Sequence, residues 1–548
     1  MRYLKTRRFT SSFACLAVAV LAAGAAHAQS APVLTTLGYV QGNSSDSNGV
    51  TSFKGIPFAA PPVGLLRWRA PQPAPHYSGV LSTTAYGATC LAAFQPSPTQ
   101  SEDCLTANVW TPNITPATLK PVMVWIYGGG FQYGSSNTAV LDGSHLATDD
   151  VVVVTFNYRV GVMGFLATSQ LDAESDTSGN WGLLDSLAAL KWVKANIASF
   201  GGDPNRVTIF GESAGAHSVG MLLASPLTRG LVDGAIMESG AFWDSDHGSI
   251  GTHTEKLALG AALAAKFPGQ DLRSIDGQIV NAAAQWDPKT DPSITAFSPS
   301  VDGNVLRVSP GEAFARGQEL NVPLMGGWNM AEYFPFTALF APTYPDAAAL
   351  DSAAATWFGS RCLPQFEALY PATTPAQTMA SSNLLAGDTI ISEQTWEALA
   401  IPQVPGTAKR FAYHFTYTSP YSPAAIHTSE VPFVWGSLTP QALAPAATPS
   451  AADRQLSAEM MSYWTNFAHN GDPNGPGLPT WPAFTGLGGS VMQLDSTAPA
   501  AGPNTDEGRF AFLASYRSHG RMPADWRTMG VPGDTYPGVG CGTATFKP

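Results

Sequence analysis

Short apolar runs recur along the chain, and each reads as a buried strand. They run from Val122 to Tyr127, Val151 to Asn157, Val207 to Phe210, Ala235 to Met237, Val322 to Met325 and Phe411 to Tyr417. All are rich in β-branched or aromatic residues, and most end in Gly or polar residues. Helical stretches lie between them. The clearest spans 181–198, with Leu183, Leu184, Leu187, Leu190 and Val193 at helical spacing. Strands alternating with helices predict an α/β fold, a mostly parallel central sheet flanked by helices. In such folds reactive groups collect where strands end and helices begin.

Two segments break the alternation, one near 252–314 and one near 345–401. Both are Ala-rich with scattered Pro. They are expected to be helical insertions over the working edge of the sheet, forming lid and pocket walls. The Pro/Ala-rich stretch near 440–450 reads as a surface loop. No repeat and no long linker divides the remainder, so residues 29–548 are expected to form a single domain.

The first 28 residues stand apart. Arg2, Lys5, Arg7 and Arg8 form a positive start, Phe13 to Ala25 is apolar, and Ala26-His27-Ala28 offers a small-x-small cleavage site. The apolar run is too short to span a bilayer, so the segment reads as a removable signal peptide of bacterial type. The expected location is therefore periplasmic or extracellular, with no membrane anchor.

The full chain carries 28 Lys+Arg against 40 Asp+Glu, a net charge of −12. Loss of the four leader cations takes it to about −16. That balance disfavours nucleic acid or an anionic membrane as partner. Four cysteines survive cleavage: Cys90, Cys104, Cys362 and Cys541. An even number in an exported chain suggests two disulfides. Three pairings are possible, and joining Cys90 to Cys104 gives the short loop, leaving Cys362 and Cys541. No Cys or His spacing resembles a zinc site, and no metal is expected.

The candidate chemistry centres on Gly211-Glu212-Ser213-Ala214-Gly215. A lone G-x-S-x-G is weak evidence. Here it follows the Val207–Phe210 run and precedes helix-compatible Ala216 to Leu223, which makes it a strand-to-helix elbow presenting Ser213 as nucleophile. A serine hydroxyl needs a base to attack. His217 should point along the helix and reads as packing. His427, in a return loop after the Phe411–Tyr417 strand, is the candidate base. Glu332 follows a strand ending in Gly326-Gly327 and lies between Ser213 and His427, the chain order Ser, acid, His of such folds. Tyr127-Gly128-Gly129-Gly130-Phe131 exposes bare amides after a strand. The N–H groups of Gly129, Gly130 and Ala214 are the candidate oxyanion hole.

At these residues the sequence resembles the type-B carboxylesterase/cholinesterase family over nearly the whole mature chain. The resemblance rests also on Phe53 to Gly64 with Arg67, Glu102-Asp103-Cys104-Leu105, Asn157-Tyr158-Arg159 with Gly161, and Tyr463 to Ala468 leading to Gly471-Asp472-Pro473-Asn474. It implies the α/β-hydrolase fold, the triad Ser213, Glu332 and His427, a disulfide closing Cys104 onto Cys90, and supporting roles for Glu212 and Ser239. The family usually has Asp-Glu-Gly around the acid, whereas this chain has Ala331-Glu332-Tyr333. Where a glycine commonly precedes the histidine, Ala424-Ala425 stands. Trp243, Trp328, Phe334, Phe336, Phe433 and Trp435 lie near family pocket positions and are candidates for an apolar or aryl-binding wall.

The implied activity is hydrolysis of small carboxylic esters through an acyl-enzyme, with no cofactor required. A serine amidase or peptidase on the same triad is the nearest alternative. A non-catalytic, cholinesterase-like recognition protein is a second, opposed by the intact set of three residues.

Overall fold

The computed structural model describes residues 29–517 except 93–98, 176, 243–249, 286–296, 340–342, 402–407 and 442. The leader, Trp243 and Cys541 therefore lie outside the described residues. Among the described residues, no helix is long and apolar enough to cross a membrane.

A ten-stranded sheet forms the centre. Its strands, in chain order, are β1 (Thr51–Pro57), β2 (Thr106–Thr111), β3 (Lys120–Ile126), β4 (Val152–Phe156), β5 (Gly202–Glu212), β6 (Gly234–Glu238), β7 (Leu324–Asn329), β8 (Arg410–Phe415), β9 (Ser490–Leu494) and β10 (Ala500–Pro503). They lie in the order β10-β9-β8-β7-β6-β5-β3-β4-β2-β1. Neighbours from β9 through β4 pair in parallel, and antiparallel pairing is confined to β10, β2 and β1 at the margins. The mostly parallel sheet expected from the apolar runs is thus present. The runs lack polar alternation because both faces are covered: β4, β6, β7 and β8 are buried at every position. Helices α1 (Trp181–Asn196), α2 (Ala214–Ala224) and α7 (Ala451–Asn470) pack against it.

One expected boundary needs correction. Gly326 and Gly327 do not terminate β7 but lie inside it, and the strand runs on to Asn329. A Cβ on Gly327 would sit 2.3 Å from the Tyr413 ring on β8, so the glycine makes room for a neighbouring aromatic.

Both insertions are built chiefly of helices. The first holds α3 (His253–Ala264) and shorter helical pieces, and a two-stranded pair of Gly251–Thr252 with Ser300–Val301 closes its base. The second holds α4 (Ala347–Phe358), α5 (Pro375–Gly387), a five-residue π-turn (Asp388–Ser392) and α6 (Glu393–Ala400). It carries its own apolar cluster, in which Phe358, Phe366 and Tyr370 meet Phe512 and Tyr516 of α8 (Glu507–Arg517).

Cys90 and Cys104 are joined in a disulfide, their Cα atoms 5.0 Å apart. Cys362 is also disulfide-bonded, while Cys541 is not among the described residues.

Candidate active site

Five strands deliver residues to one edge of the sheet. β3 runs into the Gly128-Gly129-Gly130 loop, β5 into Ser213, β6 into Ser239, β7 into Glu332 and β8, through a loop, into His427. Because these strands pair in parallel, their C-terminal ends fall on the same side.

The elbow is fixed by backbone contacts. Ser213 has φ 56° and ψ −125°, a conformation costing on the order of 1–3 kcal/mol for a non-glycine residue. Its N–H donates to the Glu238 carbonyl at 2.9 Å, and its carbonyl accepts from the His217 N–H at 2.9 Å. The strain is offset by tight packing around it. A Cβ on Gly215 would lie 1.9 Å from the Ile126 carbonyl oxygen, so only glycine lets α2 sit this close to β3. Within the pentapeptide only Ser213 is half-buried, and the other four residues are buried. His217 is buried with Nδ1 2.6 Å from the Ser213 carbonyl, so it faces the backbone and not the hydroxyl.

Gly129 (φ +107°) and Gly130 (φ +59°) turn the loop after β3 in the left-handed region. Among the described residues, the N–H groups of Gly129, Gly130 and Ala214 donate to no protein acceptor. Gly129 is half-buried and Gly130 exposed, so the loop opens to solvent. The Ala214 amide is one of the unsatisfied donors at the start of α2.

The acid and the histidine meet through the register of β7 and β8. Past the strand ends, Ala331 and Ile426 form an isolated parallel bridge, with the Ala331 N–H donating to the Ala425 carbonyl at 2.8 Å. Asn329 Nδ2 adds a bond to the Ile426 carbonyl at 2.9 Å. This brings Glu332 Oε2 to 2.6 Å from His427 Nδ1, both residues being buried. The other carboxylate oxygen, Oε1, accepts from the Asn329 N–H at 2.7 Å.

The contact from Ser213 to His427 is not made. Among the described residues, Ser213 Oγ has no hydrogen-bond partner, and His427 Nε2 faces Glu212 Oε1 at 3.2 Å. Burial pulls the His427 pKa down, but the charges of Glu212 and Glu332 outweigh it and raise it to about 9. Burial in turn pushes Glu212 up to about 8, against the pull of the His427 cation. The contact is electrostatic: among the described residues Glu212 Oε1 makes no hydrogen bond.

Sequence reasoning missed the carboxylates behind this pair. Glu430, fully buried, accepts from Ser239 Oγ at 3.2 Å and from Asn329 Nδ2. Burial, and then the charge of Glu332, push its pKa up to about 7. Ser239 therefore supports Glu430 and is not bonded to Glu332. Glu238 accepts from Trp464 Nε1 at 2.7 Å, and burial holds its carboxyl well above the usual range. The one trace in the sequence is that Glu430 abuts the apolar run Val431-Pro432-Phe433-Val434-Trp435, which does not by itself mark it as buried.

Of the candidate pocket aromatics, Trp328 and Phe433 are core residues and not a wall open to substrate. Trp328 is 1 % exposed, stacked on His414 and edge-on to Phe510, and Phe433 is 0 % exposed among Phe415, Tyr417 and Tyr421. Trp435 is likewise buried, stacked on Phe210. Phe334 is half-buried, and Phe336, also half-buried, lies 4.9 Å from the His427 ring. Among the described residues, no three His, Cys, Asp or Glu side chains are arranged to hold a metal ion.

A parallel sheet with a serine elbow at the end of its central strand and an acid–histidine pair beside it defines an α/β-hydrolase. Solved structures agree. A carboxylesterase of Geobacillus stearothermophilus superposes with a TM-score of 0.76 at 31% identity, over 88% of this chain and 99% of that one. A PNB esterase gives 0.74 at 32%, over 87% and 98%. Fumonisin B1 esterase of Sphingopyxis macrogoltabida is 37% identical over 479 residues, 84% of this chain and 86% of that protein. Para-nitrobenzyl esterase of Bacillus subtilis (strain 168) is 36% identical over 485 residues, 85% and 94% of the two. The carboxylesterase family model matches residues 29–513. The chain belongs to the carboxylesterase family, and it is a carboxylic-ester hydrolase.

Proposed function

We propose that this chain is an exported serine esterase, in which Ser213 is the nucleophile, His427 the general base and acid, and Glu332 the carboxylate that orients His427. The observation that carries the reading is the buried 2.6 Å contact between His427 Nδ1 and Glu332 at the strand edge that also bears Ser213. It leaves Nε2 as the working nitrogen. Nε2 exchanges Glu212 for Ser213 Oγ at the start of the cycle, a change of partner that unliganded sites commonly require.

The hydroxyl then attacks the ester carbonyl while its proton passes to Nε2. The carbonyl oxygen, now an oxyanion, accepts from the free amides of Gly129, Gly130 and Ala214. Losing one such donor typically costs about a hundred- to a thousandfold in rate. The Nε2 proton moves to the departing alcohol, leaving an acyl-enzyme. Water enters by the same route, giving up its proton to Nε2, and the carboxylic acid leaves as Ser213 recovers its proton.

Small carboxylic esters are the proposed substrates, in keeping with relatives named for para-nitrobenzyl and fumonisin B1 esters. The leader and the Cys90–Cys104 disulfide support export to an oxidising compartment. The test is Ser213→Ala, assayed with p-nitrophenyl acetate. Turnover falls to background while the circular dichroism spectrum and Tm stay those of the parent, and retained turnover ends the assignment.

A further inference from the structure

The second insertion touches the acid itself. Gly387, the last residue of α5, is helical at φ −65° and ψ −45°, so nothing in its own backbone calls for glycine. The reason is steric. A Cβ there would lie 2.9 Å from the Tyr333 nitrogen and 3.2 Å from the Glu332 Cβ. The π-turn that follows is an irregularity of the kind frequent at functional sites. It sends Ile390 and Ile391, with Ala386, against Tyr333 and Phe336. Phe336 in turn packs on the His427 ring.

The π-turn is also anchored from below. Asp388 accepts from Tyr370 Oη at 2.8 Å and from Arg509 Nε at 2.7 Å. Arg509 also holds Asp506 at 2.9 Å. The far oxygen of Asp506 accepts from Trp328 Nε1 at 3.3 Å and lies 3.5 Å from His414 Nδ1, side chains on β7 and β8 themselves. The turn therefore spans from the strands that carry the acid and the histidine back to those two residues.

We propose that the α5/π-turn junction is a brace that sets the catalytic pair, with Gly387 positioning Glu332 through its backbone and Phe336 positioning the His427 ring. This rests on the triad reading above. Placement errors of about 1 Å at such a pair cost on the order of a hundredfold in rate, so the brace acts on kcat and not on substrate binding.

Gly387→Ala is the discriminating variant, because helix propensity alone favours alanine at a helical site. Expected are a fall in kcat of at least tenfold, KM within twofold of the parent, and displacement of the downfield proton resonance of the His427 Nδ1–H···Glu332 bond. A purely structural role leaves that resonance in place in the folded fraction. If Gly387→Ala does not fold, Ile390→Ala decides: it loosens the brace without adding atoms and is expected to lower kcat at least threefold and broaden the same resonance. Parent-like kcat with an unmoved resonance in the folded variant overturns the brace. Failure of the triad itself appears separately, as retained turnover in Ser213→Ala.

Discussion

The nucleophile side of the site, from Ile126 through Ser213 into α2, is held differently from the acid–base side between Asn329 and Glu430. On the first side the contacts are backbone to backbone. Glycine lets α2 approach β3, Ser213 is locked through the Glu238 carbonyl, and the oxyanion donors are main-chain amides. On the second side the geometry depends on side chains far apart in sequence, with Asn329, Glu332, His427, Glu430 and Ser239 bonded into one buried network. A backbone-held site leaves no room for an added atom where segments cross, as at Gly215, and holds its shape through groups that do not titrate. A carboxylate-held site is set by ionisable groups, so its geometry responds to protonation.

This contrast can be broken from either side. The largest effect is expected for Glu332→Gln. The substitution leaves the packing nearly unchanged but cannot hold the imidazolium, and kcat/KM for p-nitrophenyl acetate should fall by on the order of 10³–10⁴. A loss below tenfold would place the orienting role elsewhere. Next is Gly215→Ala, where one methyl meets the Ile126 carbonyl. A drop of about a hundredfold in kcat, accompanied by a lower Tm, is expected from the displaced elbow. Unchanged kcat would mean that β3 and α2 can part without cost.

A smaller effect, seen in pH dependence, is expected for Glu212→Gln. Hydrolysis requires neutral His427, so activity rises with pH through the histidine pKa, which stands at about 9 after burial is outweighed by Glu212 and Glu332. Removing the Glu212 charge lowers that pKa, and the acid limb of the pH–rate profile should move to lower pH. Movement to higher pH, or none, would exclude Glu212 as the controlling charge. The same pKa sets a stability term of defined sign. It is raised above the ordinary 6.5, so the contribution is complete below about 6.5 and is lost as pH rises through about 9. The smallest effect on catalysis is expected for Phe433→Leu, which should lower the denaturation midpoint and leave KM within twofold. A large KM change would return Phe433 to the substrate wall.

Much of the first side was legible in the sequence because its requirements are local. The pentapeptide, the strand before it, the helix after it and the three glycines after β3 are all contiguous signals. The second side was legible only in part. Glu332 and His427 could be found by chain order, since one follows the β7 run closely and the other lies in the loop that follows the β8 run. Glu430 and Asn329 could not, because a buried Glu or Asn looks the same in sequence as a solvated one until the register of β7 against β8 is known. Trp328 and Phe433 failed for the opposite reason. Proximity in sequence to the site does not say on which side of the sheet a side chain falls. The marginal strands β1, β2, β9 and β10 also escaped notice, being mixed in polarity and, in Ala500–Pro503, short and poor in strand-forming residues.

The bridge joining Ala331 to the loop before His427 is made by an amide and a carbonyl, so it asks nothing of the side chains on either strand end beyond small size. Ala331 is 5 % exposed and Ala425 0 % exposed. Departures from the family pattern at these positions are therefore neutral to alignment as long as little volume is added. For anyone diversifying this enzyme, they form a seam where one small apolar residue can replace another beside the reacting groups while the loops stay in step, whereas a polar side chain there would be buried without a partner.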